Sequence, residues 1–160
     1  MRSKTKSLAF LSVATALAMI LAFVESQIPP LSTVPGVKIG LANIVTVFLL
    51  YKLGWREAWV VSVVRVGLSA LLFGSFVSLT YSIFGAVLSL AVMIPAKIFL
   101  PFSPIGVSVI GAIAHNVGQI LAALIFLGNA AIVYYLIPLT VSGTVAGIFV
   151  GILGGMVAER

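Results

Sequence analysis

The sequence contains no cysteine and no aspartate, and charged residues make up only 8% of its 160 residues. The missing cysteines exclude disulfides, thiolate metal sites and cysteine nucleophiles. The missing aspartates exclude chemistry that depends on Asp-rich motifs for Mg²⁺ or diphosphate. One histidine and three glutamates, the latter far apart in sequence, do not form an ordinary metal site or acid–base pair. We therefore expect no enzymatic activity, no metal and no cofactor.

Hydrophobic residues account for 62% of the chain, whereas a soluble domain is typically about 45–50% apolar. A water-soluble fold of this length could not bury so much apolar surface. The net charge of +6 does not predict nucleic-acid binding, because the basic residues are scattered singly between apolar runs. The sequence also lacks a P-loop, so ATP hydrolysis would require other proteins. We predict an all-α integral membrane protein with one domain, residues 1–160.

Six apolar segments predict six transmembrane helices. A helix needs roughly 20 residues to cross the hydrocarbon layer, so the second and third segments are short and should be extended or shielded by neighbouring helices. The first segment follows a basic start, as a signal peptide does. Its apolar run is long and no small-x-small site precedes Glu25, so we expect it to be retained. The predicted spans are 8–24, 39–53, 57–73, 76–97, 104–127 and 130–157.

The basic residues predict the orientation. With six spans and a cytoplasmic N-terminus, seven of them lie on the cytoplasmic side, Lys38 alone lies outside, and Arg65 lies within the third span. This bias follows the positive-inside rule, so we expect both termini in the cytoplasm. The connection 25–38, which contains three prolines, would then be the long outer loop, serving either as a lid or as a spacer. The seven cytoplasmic residues are Arg2, Lys4, Lys6, Lys52, Arg56, Lys97 and Arg160.

Two helices carry small residues at every fourth position, which places them on one helix face. Such faces allow close approach of helix backbones in a membrane. The glycine face of the last helix predicts packing within the bundle. The alanine face of the first helix leaves two alternatives open, internal packing and docking of a partner protein. The two sets are Gly143, Gly147, Gly151 and Gly155, and Ala14, Ala18 and Ala22.

Arg65 lies midway along the third span, and an intramembrane arginine usually faces the bundle interior, a wet cavity or an anion. It could bind a ligand, pair with Glu25 or extend to one membrane surface. His115 and Gln119 are four residues apart on the fifth span, with Asn116 beside them. Such groups could form inter-helical hydrogen bonds, but three within five residues favour a ligand or ion site. Asn43 extends this polar set.

Two motifs carry a resemblance to a known family. PGVKIGLANI at residues 35–44 resembles the signature of the Gx transporter family, which is often labelled heptaprenyl diphosphate synthase component I. GAIAHNVGQ at residues 111–119 resembles the fifth-helix motif of the same family. The resemblance extends over nearly the whole chain.

That family is similar to the S components of energy-coupling factor transporters. The resemblance implies a six-helix protein of a bacterial or archaeal plasma membrane, surrounded by lipid, with both termini inside. It also implies capture of a vitamin or related micronutrient from the outer face, under the loop between the first two helices. In those transporters an alanine stripe on the first helix docks on a transmembrane coupling protein driven by two ATPases, and Ala14, Ala18 and Ala22 match that stripe.

We expect the substrate pocket to be formed by the intramembrane polar residues. Glu25 and Arg65 are candidates on physical grounds alone, and the others belong to the two motifs. The full candidate set is Glu25, Lys38, Asn43, Arg65, His115, Asn116 and Gln119.

The leading hypothesis is an S component that captures a small, anionic or amphipathic micronutrient. The alternative is a non-catalytic accessory subunit of prenyl diphosphate or quinone synthesis. Catalysis of chain elongation does not fit, because it uses carboxylate clusters to hold Mg²⁺ on the diphosphate. A third hypothesis, a proton-coupled carrier that uses His115, is the weakest because the membrane segments lack a well-placed carboxylate.

Overall fold

The computed structural model describes residues 4–28, 39–73, 75–100 and 102–159, and over these ranges it contains helices and no strands. The predicted all-α fold with six helices is confirmed. A short 3₁₀ helix, Ala130–Tyr135, precedes the last of them. The helices are α1 Lys4–Gln27, α2 Asn43–Lys52, α3 Trp55–Phe73, α4 Phe76–Phe99, α5 Pro104–Leu127 and α6 Leu136–Glu159.

Four of these segments are long and apolar enough to cross a membrane: α1, α4, α5 and residues 130–159. Short connections make α2 to α6 alternate in direction, and the hydrogen bond from the Gly40 amide to Glu25 places the start of α2 toward the end of α1. We call the end where α1, α3 and α5 begin the Lys4 end, and the end where they finish the Gln27 end. α4 and α6 run from the Gln27 end to the Lys4 end, and α2 finishes at the Lys4 end.

Local sequence signals account for several helix ends. Ser75 and Ser103 accept hydrogen bonds from the backbone amides of Ser78 and Gly106, and so cap α4 and α5. Pro104 occupies the first turn of α5, where a missing amide costs nothing. Gly128 ends α5 in the left-handed conformation.

The second helix is shorter than the predicted span 39–53. It has ten residues, which cover about 15 Å, or about half of a hydrocarbon layer of roughly 30 Å. Gly40 at φ 78° and Gly54 at φ 142° flank it. Helices α1, α3, α5 and α6 pack around α2, and half of its residues are buried. Since α2 ends at the Lys4 end, it begins inside the bundle rather than at a membrane surface.

The glycine face of α6 lies against α5. A Cβ atom on Gly147 would stand 2.7 Å from Val109 Cα, and one on Gly151 would stand 2.5 Å from Ile105 Cα. Gly143 faces the Asn116 side chain and Gly155 faces Pro104. At Gly147 and Gly151, the backbones of α5 and α6 therefore approach each other so closely that no side chain fits between them.

The alanine face of α1 is turned into the bundle. Ala14 and Ala18 are 7% and 1% exposed, and they belong to the same apolar core as Val45 of α2 and Val61 of α3. Ala22 faces the cavity described below. The chain's own helices cover Ala14 and Ala18, so the geometry favours internal packing for these two residues. Docking of a partner on this stripe stays a prediction.

At the Lys4 end, basic side chains bind backbone carbonyls near helix C-termini. Lys52 Nζ donates a hydrogen bond to the carbonyl of Ala158 at 3.1 Å, and Lys97 Nζ donates to the carbonyl of Leu50. Cations are favourable there because the last carbonyls of a helix carry partial negative charge. These contacts hold the ends of α2, α4 and α6 together.

Candidate ligand-binding cavity

A cavity of about 230 Å³ lies among all six helices. It is lined by the last turns of α1, the start of α2, the middle and end of α3, the first and middle parts of α4, and the middle of α5 and α6. It therefore extends from the middle of the bundle toward the Gln27 end. The start of α2 and the residues just before it, Ile39, Gly40 and Ala42, lie against this cavity.

Polar side chains that are far apart in sequence come together in this cavity. The candidates that line it are Glu25, Asn43, Arg65, His115, Asn116 and Gln119. The remaining candidate, Lys38, lies outside the described residues. One site therefore brings together every predicted substrate-binding residue that the structure describes.

Arg65 contacts the first residue of α2. Its Nη2 atom donates a hydrogen bond to Asn43 Oδ1 at 3.3 Å, while its Nε atom is enclosed and has no hydrogen-bond partner. A buried donor without a partner costs about 1–3 kcal/mol, and more when the group is charged. An acceptor group brought by a ligand could recover this free energy.

Glu25 contacts the turn that leads into α2. Its Oε1 atom accepts a hydrogen bond from the Gly40 amide at 2.6 Å. The amides at a helix N-terminus carry partial positive charge and favour anions. Broken helices that begin near the middle of a membrane use this property in transporter binding sites. The hydrogen bonds of Glu25 and Arg65 thus meet at one place, the N-terminal end of α2.

Asn116 both lines the cavity and connects two helices. Its Nδ2 atom donates a hydrogen bond to the carbonyl of Leu139 in α6 at 2.6 Å. The same carbonyl accepts a hydrogen bond from Ser142 Oγ at 3.1 Å. Gly143 leaves the space for this amide, since a Cβ atom there would stand 2.6 Å from Nδ2. Asn116 therefore has both of the roles considered for the polar cluster: it forms an inter-helical hydrogen bond and it lines the cavity.

His115 lies at the contact between α5 and α4. A Cβ atom on Gly85 would stand 2.7 Å from His115 Nε2, and Gly85 itself is buried. Glycine at this position makes room for the imidazole ring. His115 and Gln119, one turn apart on α5, line the same wall of the cavity.

Most of the hydroxyl groups in the cavity were not predicted from the sequence. Ser69 Oγ is enclosed without a hydrogen-bond partner, and Thr46 and Ser62 share a buried hydrogen bond of 3.0 Å between α2 and α3. Ser62, Arg65 and Ser69 lie at i, i+3 and i+7, and this helical spacing would have revealed them as one face. The lining hydroxyl residues are Ser26, Thr46, Ser62, Ser69, Ser78, Ser82, Ser89, Ser108 and Ser142.

Apolar side chains complete the lining. Leu90 and Met93 of α4 are 2% and 4% exposed, and Val47 of α2 and Val150 of α6 are similarly buried. Within the described ranges, no three histidine or glutamate side chains meet as a metal site would require. The cavity thus combines hydroxyl, amide and charged groups with an apolar wall, which suits a small amphipathic molecule.

Comparison with known protein families gives one match. The family model described as heptaprenyl diphosphate synthase component I matches residues 14–157. Searches of the curated proteins and of the solved structures gave no significant match. The matched range contains every candidate residue of the cavity.

Proposed function

The chain belongs to the heptaprenyl diphosphate synthase component I family, and we propose that it is the substrate-binding membrane component of an uptake transporter. It captures a small, anionic or amphipathic micronutrient from the outer face of the cell membrane. The protein itself binds the substrate and catalyses no reaction. This role corresponds to that of an S component of an energy-coupling factor transporter.

One observation carries this proposal. Six intramembrane polar residues from four helices line a single cavity that also has an apolar wall. Polar and ionisable residues are costly at membrane depth, and they usually mark a substrate or ion pathway. Packing alone would not require two charged groups, an imidazole and three amides around one open space.

The size of the cavity limits the substrate. A volume of about 230 Å³ is below the roughly 300–1,000 Å³ of pockets for drug-sized ligands. We therefore propose a compact substrate.

Transport would take its energy from partner proteins. The sequence has no phosphate-binding glycine loop, so ATP hydrolysis belongs to separate subunits in this proposal. We propose a transmembrane coupling protein and two ATPase subunits as partners. They would dock on a surface other than Ala14 and Ala18, which are buried.

Native mass spectrometry of the protein purified from its host membranes tests this function. We expect a bound small molecule whose mass fits the cavity, and we expect Arg65→Gln to lower its affinity roughly 10- to 100-fold, because hydrogen bonds to a charged group are lost. Arg56→Gln is the matched control, since Arg56 lies on the same helix at the Lys4 end, over the Trp55 ring. Equal retention in both variants would contradict the proposal.

The family description favours a second candidate function, an accessory subunit of a prenyl diphosphate synthase. In that role the chain would hold the synthase at the membrane, since it has no aspartate to bind Mg²⁺ on a diphosphate. Affinity capture of the tagged full chain separates the two functions. Co-capture of ATPase subunits favours uptake, whereas co-capture of a prenyltransferase favours the accessory role.

A further inference from the structure

Glu25 and Arg65 are the charged side chains among the described lining of the cavity. Building on the proposed function, we infer that the Glu25 carboxylate occupies the position of the ligand's own anionic group, and that the ligand displaces it. Glu25 is then an internal competitor for the site rather than a group that binds the substrate. The substrate is a compact monoanion, such as a carboxylate with a small apolar body.

The location of the carboxylate is the first reason. Glu25 Oε1 accepts the Gly40 amide at 2.6 Å, immediately before α2 begins at Asn43. Arg65 reaches the same place through its hydrogen bond to Asn43 Oδ1. A backbone amide just before a helix start, with a guanidinium group close by, is a favourable place for an anion. The protein's own carboxylate now fills it.

The second reason is that two opposing electrostatic effects act on the Glu25 carboxylate. It lies in the last turn of α1, which ends at Gln27, and a negative charge is unfavourable at a helix C-terminus. The start of α2 attracts the carboxylate while the end of α1 repels it. Ser26, Gln27 and Ile28 are exposed, so the end of α1 can turn the carboxylate outward without uncovering a packed core.

The third reason is charge balance. An unpaired arginine at membrane depth is costly, and Arg65 Nε is already enclosed without a hydrogen-bond partner. When a monoanionic ligand replaces Glu25, Arg65 keeps a negative neighbour throughout the exchange. A neutral ligand would leave Arg65 without compensation once Glu25 moved, and a cationic ligand would add a second positive charge.

If Glu25 instead bound the substrate, removal of its charge would weaken binding. A Glu25 variant therefore distinguishes the two roles. We would measure binding of benzoate to the purified full chain in detergent by thermal unfolding, with benzamide and benzylamine as neutral and cationic probes of the same size. The inference expects Glu25→Gln to bind benzoate roughly 3- to 10-fold more tightly than the wild type, because a competing charge at a helix N-terminus is gone. Benzamide binding should not change.

Glu57→Gln is the matched control, since it removes a carboxylate from the first turn of α3 at the Lys4 end and should leave benzoate binding unchanged. Glu25→Ala should act in the same direction as Glu25→Gln, which covers the case of one variant that does not fold. Weaker or unchanged benzoate binding in the Glu25 variants overturns the inference. So does preferential binding of benzylamine, or failure of benzoate to bind any Glu25 variant. The co-purified molecule tests the proposed function separately.

Discussion

Gly85 of α4 faces the imidazole ring of His115 where α4 packs against α5. A Cβ atom on Gly85 would stand 2.7 Å from the Cε1 and Nε2 atoms of that ring, and such a distance forces the ring to move. Because His115 lines the cavity, the space that Gly85 leaves determines where the imidazole lies. In the proposed function, Gly85 does not bind the ligand itself but determines the position of His115, which does.

Gly85→Ala should therefore weaken ligand binding by displacing the imidazole, and His115→Ala should remove the conflict. We expect the double variant Gly85→Ala with His115→Ala to bind as His115→Ala alone does. Thermal unfolding with and without the co-purified molecule measures the four proteins of this cycle. Strictly additive effects of the two substitutions would show that the contact does not position the ring.

The polar candidates could be predicted from sequence because of where they lie. A charged or amide side chain in an apolar helix must face the interior or a polar cavity, and this rule located Arg65, His115 and Gln119. The serines could not be recognised one by one, since a hydroxyl in a helix also bonds to its own backbone. Thr80 does so with the carbonyl of Phe76. Only the helical spacing distinguishes a serine that lines the cavity from one that simply bonds to its own helix backbone.

At the scale of the helix, α6 is held by contact of backbones rather than by interlocking side chains. The predicted face of Gly143, Gly147 and Gly151 lies directly on α5. In a membrane, where lipid is as apolar as the side chains, such close contact supplies much of the helix–helix attraction. The position of α6 in turn sets one wall of the cavity, through Ser142 and Ala146.

Gly147→Ala should destabilise the protein by about 1–3 kcal/mol, because the added methyl group meets Val109 Cα, which cannot move alone. The matched control is Gly67→Ala in α3, where no atom lies within 4 Å of the added Cβ. That control should be neutral or more stable by about 0.5–1 kcal/mol, since alanine favours helix. Unfolding in mixed detergent compares them, and equal stability of the two variants would refute close contact.

The length of α2 shows what the sequence could not predict. Residues 39–53 read as one continuous apolar span, yet the helix begins only at Asn43. Its start depends on the left-handed backbone of Gly40 and on the hydrogen bond from the Gly40 amide to Glu25, fifteen residues away. Hydropathy contains neither the backbone angle nor the distant contact. For the same reason, the burial of Ala14 and Ala18 was not evident from their spacing.

Across the whole molecule, most of the described basic residues lie at the end opposite the cavity. The described lysines and arginines other than Arg65 lie at the Lys4 end, namely Lys4, Lys6, Lys52, Arg56 and Lys97. The cavity lies toward the Gln27 end. If basic residues remain in the cytoplasm, a molecule in the outer medium reaches the cavity from the Gln27 end. The direction of capture therefore depends on the orientation of the chain.

The absence of native cysteine makes this orientation directly measurable. We expect Ser26→Cys, at the Gln27 end, to react with a membrane-impermeant maleimide added to intact cells. Leu53→Cys, between α2 and α3 at the Lys4 end, should react only after the membrane is opened. Both positions are exposed, so a difference in labelling reports the side of the membrane rather than burial, and the cysteine-free parent gives the background. Labelling of Leu53→Cys but not Ser26→Cys in intact cells would invert the topology and turn the cavity toward the cytoplasm, where capture of an external nutrient could not begin.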